Sequence, residues 1–127
     1  MADAYKAAAA VLKHSKNGAK PLRNAPYRLL AIHAIELYLN AYLQARGMSA
    51  LDIRRLQHNL ARRTELALTE RLVLRVRTAE HLRSLAETRE YLITRYDPDG
   101  PNVSQINRLE ATLNEVAKKV RICLQKS

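Results

Sequence analysis

The sequence contains no tryptophan or phenylalanine, one cysteine, three glycines and four prolines among its 127 residues. A core that lacks the largest aromatic rings must be built from Leu, Ile, Val and Ala, with the six tyrosines at its margins. The single cysteine, Cys123, excludes an internal disulfide. A chain of this length suits one core, so residues 1–127 are predicted to form a single domain.

Long apolar runs are also missing, because no stretch approaches the about 20 residues that a membrane-spanning helix needs. The apolar run AAAAVL, residues 7–12, is followed by Lys13, His14 and Lys16 and not by a cleavage pattern. No residues have metal-ligand spacing, and no glycine-rich loop is available to hold a phosphate. We therefore expect a cytoplasmic protein without a membrane segment, a metal or another cofactor.

Acidic residues are scarce, with 12 Asp and Glu against 22 Lys and Arg, and the formal net charge is +10. RNA, DNA and nucleotides are therefore the first partners to consider. Arginine outnumbers lysine by 15 to 7, and residues 54–95 hold ten Arg, no Lys and five Glu. Arginine favours bidentate contacts to phosphate. A solvated surface, with Glu partners one helical turn away, is an equally good explanation of the same pattern.

Apolar residues recur at helical spacing and predict an all-α protein, an up-and-down bundle of four or five antiparallel helices. Pro26 fits a first helical turn, Gly47 a helix stop, and Ser49 with Asp52 a helix cap. The predicted helices cover residues 2–16, 24–47, 49–68, 78–96 and 104 onward, with Thr78 and Ser104 as caps. Residues 71–77 alternate in polarity and are predicted to be extended, and DPDGPN at 97–102 is predicted to be a loop.

The second predicted helix carries a row of polar side chains in apolar surroundings. His33, Glu36 and Asn40 fall on one narrow stripe at i, i+3 and i+7. Unpaired buried polar groups cost about 1–3 kcal/mol each, so the row must face a polar partner or a cavity. Glu36 opposite His58 or Arg62 would hold two helices in register and could floor a cleft. A structural seam and a nucleotide or RNA site both remain open.

His58 is the histidine with the most basic surroundings, RRLQHNLARR. On a continuous helix, Arg54 and Arg62 lie one turn on either side of it and share its face. Together with Arg55 they could bind a phosphodiester, with the imidazole placed to move a proton in RNA cleavage through the 2′-hydroxyl. Asn59 would line the same cleft. The alternative is a polar helix cap in which His58 packs against a carboxylate.

Three segments resemble HEPN domains, which are small helical bundles: LLAIHAIELYLNAYLQARG at 29–47, HNL at 58–60 and REYLITRY at 89–96. The resemblance extends over roughly residues 25–97, and Glu36 and the HNL segment look like the family's characteristic polar positions. It implies an up-and-down bundle, commonly a homodimer, that binds nucleotides or RNA. Many family members are metal-independent ribonucleases, often toxins of toxin–antitoxin or defence systems, and others are inactive partners that only bind.

The family's ribonuclease signature is an Arg, usually followed by a polar residue, and then a His after a gap of four to six residues. The arginines before His58, Arg54 and Arg55, leave gaps of only three and two residues, so the signature is absent there. Permitted gaps occur at residues 28–33 and 75–81, without the polar second residue. Because roughly 1.4 matches arise by chance in a sequence so rich in arginine, these two are uninformative.

Three functional hypotheses follow. The first is a HEPN-like nucleotide- or RNA-binding protein, whose partner would be a cognate antitoxin or a nucleotidyltransferase. The second is an active metal-independent ribonuclease, and the third is an Arg-rich helical adaptor for an acidic protein. The candidate catalytic residue is His58, and the candidate binding residues are Arg54, Arg55, Asn59, Arg62, Glu36 and Asn40.

Overall fold

The computed structural model of the protein describes residues 2–13, 24–87 and 103–126. Within these ranges lie the helices α1 Ala2–Lys13, α2 Asn24–Ala45, α3 Ala50–Arg55, α4 Leu60–Thr69, α5 Val76–Glu87 and α6 Val103–Lys126. The described ranges contain no strand, and the predicted all-α bundle is confirmed. His14, the end of the fourth predicted helix and the predicted loop at 97–102 lie outside the described residues.

The central element is α2, with 22 residues and a length of about 33 Å. It contacts α1, α3, α4 and α6, and its side chains are buried around most of its circumference. Ile35, Leu39 and Leu43 are fully enclosed. None of the described helices combines the length and the apolar character needed to cross a membrane.

Two pairs of helices that follow one another in the chain, α1 with α2 and α5 with α6, are antiparallel. In the pair formed by α5 and α6, Thr78 bonds to Glu115 and His81, one turn later, bonds to Thr112. The numbering rises on one helix while it falls on the other, so the two are antiparallel. The contacts between α1 and α2 show the same relation.

The third predicted helix, 49–68, is not continuous, which raises the number of described helices above the predicted five. Ser49 caps α3 as predicted, its hydroxyl oxygen accepting from the backbone N–H of Asp52 at 3.1 Å. The helix then ends after six residues, and Gln57 has a left-handed φ of 51°. Asn59 starts α4, because its side-chain oxygen accepts from the backbone N–H of Arg62 at 3.0 Å.

Residues 72–75, before α5, are neither helix nor strand, whereas Val76 and Arg77 of the connector predicted at 71–77 belong to α5. Leu72 is buried and Val73 is exposed, as alternation requires. The helix begins at Val76, so the prediction that Thr78 caps it is wrong. Thr78 lies inside α5, fully buried against α6.

Tyrosines are part of the core and not only of its margins, contrary to the sequence-based expectation. Tyr27, Tyr38 and Tyr42 are each less than 5% exposed. Burial is the main cause that raises the pKa of Tyr27 and Tyr38 to about 12. The Tyr38 hydroxyl donates to Asp3 of α1 and accepts from Arg121 of α6, which ties the first and last helices to α2.

Candidate functional site

The bend between α3 and α4 places His58 against the polar row of α2. Its Nδ1 lies 3.4 Å from Oε2 of Glu36, which is one of the two partners predicted for that carboxylate. The Glu36 side chain is 9% exposed and the imidazole is 60% exposed. A nearly buried carboxylate therefore lies beneath an accessible histidine.

Arg63 is the second partner of the polar row, and sequence analysis missed it. Its Nε donates to Oδ1 of Asn40 at 2.7 Å, and its Nη1 donates to the carbonyl oxygen of Asn59 at 3.4 Å. The side chain is 3% exposed. Burial lowers the pKa of Arg63, against the opposing effect of the Glu36 charge. This buried cation joins α2 to α4.

A signal for Arg63 is present in the sequence once α4 is known to begin after Asn59. The buried residues of α4 are Leu60, Arg63, Thr64 and Ala67. They follow the i, i+3, i+4, i+7 pattern of one helical face, so Arg63 occupies a core position. That register is hidden when residues 49–68 are treated as one helix.

His33, the first member of the row, faces aromatic rings and not charged groups. Its ring centroid lies 6.0 Å from that of Tyr5 in a stacked arrangement and 6.1 Å from that of His58 in an edge-on arrangement. The three rings come from α1, α2 and the bend. They form an aromatic wall beside the Glu36–His58 pair.

These side chains surround an open cleft of about 480 Å³. Its lining consists of His33, Glu36, Leu37, Asn40, Ile53, Arg54, Gln57, His58 and Arg63. The volume is within the range of small-molecule sites, roughly 300–1,000 Å³. Of the residues predicted for the site, Glu36, Asn40, Arg54 and His58 are brought together here.

Three other predicted binding residues do not line the cleft. Arg55 is exposed and forms an ion pair within α3. Asn59 uses its side chain to cap α4, and Arg62 is exposed on the surface of that helix. The predicted common face of Arg54, His58 and Arg62 is wrong, because it required a continuous helix where the chain turns.

The cleft combines groups of three kinds. Arg54 supplies a guanidinium, Glu36 supplies carboxylate oxygens, and His58 supplies an imidazole held against that carboxylate. A carboxylate that accepts from Nδ1–H leaves the other ring nitrogen, Nε2, as the basic atom of a neutral imidazole. In the described part of the chain, no three His, Cys, Asp or Glu side chains are grouped closely enough to hold a metal ion.

Comparison of the protein with family models, with curated proteins and with solved structures finds no match. The likeness to HEPN domains therefore remains a prediction, which depends on the sequence segments described above. REYLITRY, one of those segments, lies outside the described residues.

Proposed function

We propose that the protein binds RNA or a nucleotide in the cleft between α2 and the α3–α4 bend. The observation that carries this proposal is the nearly buried Glu36 beneath the exposed His58, in an open cleft of a protein with a net charge of +10. The guanidinium of Arg54 and the imidazole of His58 at the rim suit a phosphate group. The Glu36 carboxylate suits a ribose hydroxyl or a base amino group.

Neighbouring arginines provide a matched test. Arg54 lines the cleft and Arg55 does not, yet both are exposed and lie on the same helix. Replacing either by glutamine removes one positive charge. Fluorescence anisotropy with a labelled single-stranded RNA of about 12 nucleotides should show about tenfold weaker binding for Arg54→Gln, which is the loss of one charge-assisted contact. Arg55→Gln should change the affinity less than about twofold.

Equal losses in the two variants would contradict the cleft proposal, because only the total charge would then matter. Displacement of the RNA by polyglutamate as effectively as by unlabelled RNA of equal charge would favour the alternative, an Arg-rich adaptor for an acidic protein. Circular dichroism should give the same helix content for both variants, since neither side chain is buried.

A second candidate function is metal-independent RNA cleavage, and the 3.4 Å contact between His58 and Glu36 favours it. In this reaction the imidazole takes the proton of the 2′-hydroxyl, and the 2′-oxygen attacks the adjacent phosphorus. The bond from phosphorus to the 5′-oxygen breaks, and that oxygen receives a proton from solvent water, while the imidazolium returns its proton to the solvent. The products are a 2′,3′-cyclic phosphate and a 5′-hydroxyl, with no net change in water or redox state.

The test is incubation of labelled single-stranded RNA with the purified protein in EDTA, with gels that report both cleavage and shift. Cleavage that is lost in His58→Gln and retained in Arg55→Gln supports a ribonuclease. Cleavage that persists in His58→Gln rules out His58 as the proton-transfer group. A shift without cleavage assigns the cleft to binding alone.

The resemblance to HEPN domains supports a further part of the proposal. The protein would act in the cytoplasm as a homodimer within a toxin–antitoxin or defence system, with a cognate antitoxin or a nucleotidyltransferase as partner. Sedimentation analysis tests the dimer. Growth arrest on induced expression, relieved by His58→Gln, tests toxicity.

A further inference from the structure

The contact between α5 and α6 holds a second polar cluster, which shares no residue with the cleft. Nη2 of Arg108 donates to Oγ1 of Thr78 at 3.1 Å and to Oγ1 of Thr112 at 3.3 Å. Both threonines are fully buried. Each hydroxyl then gives its own hydrogen to another acceptor: Thr78 to Oε1 of Glu115 and Thr112 to Nδ1 of His81, both at 2.7 Å.

These bonds fix the guanidinium of Arg108 before any ligand arrives. Nε also points to Thr112, at 3.4 Å. An arginine has five N–H hydrogens, and the bonds to described residues use those of Nε and Nη2. The two hydrogens of Nη1 are available to a ligand. A side chain already ordered by folding loses less entropy on binding than a freely rotating one.

Arg108 contributes to an open groove of about 600 Å³ between the start of α5 and α6. Its charged lining consists of Arg75, Arg77, Arg108, Lys118, Lys119 and Glu115. Among the described lining residues, Glu115 is therefore the one carboxylate against five cations. The groove has a large excess of positive charge.

Glu115 is already occupied within the protein. Its Oε2 accepts from the backbone N–H of Arg75 at 2.7 Å and from Nζ of Lys119 at 2.9 Å, and its Oε1 accepts from Thr78. Burial opposes ionisation, but these hydrogen bonds outweigh it and hold the pKa of Glu115 below its usual value. The carboxylate neutralises Lys119 and leaves the charges of Arg75, Arg77, Arg108 and Lys118 for an external anion.

Elsewhere on the described surface, four arginines are paired with carboxylates. The pairs are Arg46–Glu70, Arg55–Asp52, Arg83–Glu65 and Arg121–Asp3. The groove also has an apolar part, which includes Val76 at 74% exposure and Ile122 at 40% exposure. Apolar side chains between cations can bury part of the flat face of a base in a ligand that also carries phosphates.

We propose that this groove binds the phosphodiester backbone of a single-stranded nucleic acid. Arg108 is the fixed phosphate contact, Arg77 and Lys118 bind neighbouring phosphates, and the bases pack on Val76 and Ile122. The proposal extends the proposed function, because it assigns a second contact surface that shares no residue with the cleft. It can fail while the cleft proposal stands.

The test compares two double variants that each remove two positive charges. Arg77→Gln with Lys118→Gln alters the groove, and Arg46→Gln with Arg83→Gln alters paired arginines outside both sites. Anisotropy titrations use single-stranded RNA and DNA of about 12 nucleotides at several salt concentrations. The groove variant should bind at least about tenfold more weakly than the control variant, and its salt slope should fall by about 1.4, or about 0.7 per lost phosphate contact.

Each other outcome has a definite meaning. Equal weakening by the two double variants overturns the groove proposal, and a loss in Arg54→Gln would still support the cleft. Weaker binding by the groove variant than by the control variant, with unchanged binding by Arg54→Gln, supports the groove proposal and overturns the cleft proposal. Binding of AMP as tightly as the 12-nucleotide strand, weakened in the groove variant but not in Arg54→Gln, overturns the assignment of the groove to a strand. Displacement of the strand by polyglutamate at equal charge assigns the groove to an acidic protein. No binding of any strand by the unaltered protein overturns the groove proposal and the assignment of the cleft to RNA.

Discussion

The buried arginine Arg63 and its exposed neighbour Arg62 have different environments despite their adjacent positions. Arg63→Ala should lower the free energy of unfolding by about 3 kcal/mol, because it leaves the Asn40 amide without its partner and removes buried packing. Urea denaturation at pH 7 measures the loss. Arg62→Ala removes the same charge and should change stability by no more than about 0.5 kcal/mol. Similar losses in the two variants would contradict the described orientation of α4.

His81 makes the stability of the protein depend on pH. Burial, followed by the charges of Arg108 and Arg28, lowers its pKa to about 4 from an ordinary value near 6.5. Between these two values the unfolded chain binds a proton that the folded protein does not. This contribution to stability is therefore fully present above pH 6.5 and is lost as the pH falls toward 4.

The matched variant for this effect is His81→Gln, which cannot take up a proton at that position. Between pH 7 and pH 4.5, the unaltered protein should lose about 2 kcal/mol more free energy of unfolding than the variant. Chemical denaturation across this range gives the comparison. If the free energy of unfolding falls equally with pH in the two proteins, His81 does not contribute to the pH dependence of stability.

At the scale of elements, the separation of α3 from α4 depends on the cap of the second helix. Asn59→Ala should cost about 1 kcal/mol, because the first turn of α4 loses the acceptor for an N–H group. Asn59→Asp keeps that oxygen and should be close to the unaltered protein. Asn107→Ala, at an exposed position within α6, is the control and should not destabilise. Thermal unfolding compares the stability of these three variants with that of the unaltered protein.

The same bend explains which features could be predicted from the sequence. Helical spacing of apolar residues predicts the all-α bundle, and Ser49 with Asp52 marks the start of α3 because a cap is a local interaction. The turn at Gln57 could not be foreseen, since a left-handed residue is usually glycine or asparagine and neither stands at that position. Asn59 carried a cap signal, but its basic surroundings suggested a binding residue.

In the candidate site, too, some contacts could be predicted from the sequence and others could not. The contact between Glu36 and His58 follows from the need of a polar row on an apolar helix for a partner. The choice of Arg63 over Arg62 depends on the rotation of α4 about its own axis, which changes by about 100° per residue. That rotation is set by where the helix restarts, so an error in the helix start exchanges a buried arginine for an exposed one.

For the molecule as a whole, salt should act in opposite directions on binding and on folding. Added salt weakens the binding of a polyanion, and it also screens the mutual repulsion within a chain of net charge +10. Raising sodium chloride from about 20 mM to about 200 mM should raise the free energy of unfolding by about 1 kcal/mol. Thermal unfolding at the two concentrations measures this.

The double variant with Arg77→Gln and Lys118→Gln tests the source of the repulsion. If most of the repulsion arises among the cations of the groove, added salt should stabilise this variant less than the variant that alters Arg46 and Arg83. Destabilisation by salt in the unaltered protein would mean that the surface ion pairs outweigh the repulsion.

The bonds from Arg121 to Asp3 and Tyr38 have a consequence for how the protein is made. Arg121 and Asp3 are 118 positions apart, so α6 can cover the central helix only after the residues between them have been synthesised. At about 5–20 residues per second, the ribosome needs roughly 1–5 seconds to synthesise the 24 residues of α6. During that time the side of α2 that α6 later covers is exposed on the nascent chain, where a chaperone can bind it. In a protein truncated before α6, this side of α2 would stay exposed, and the truncated protein would be a target for proteolysis.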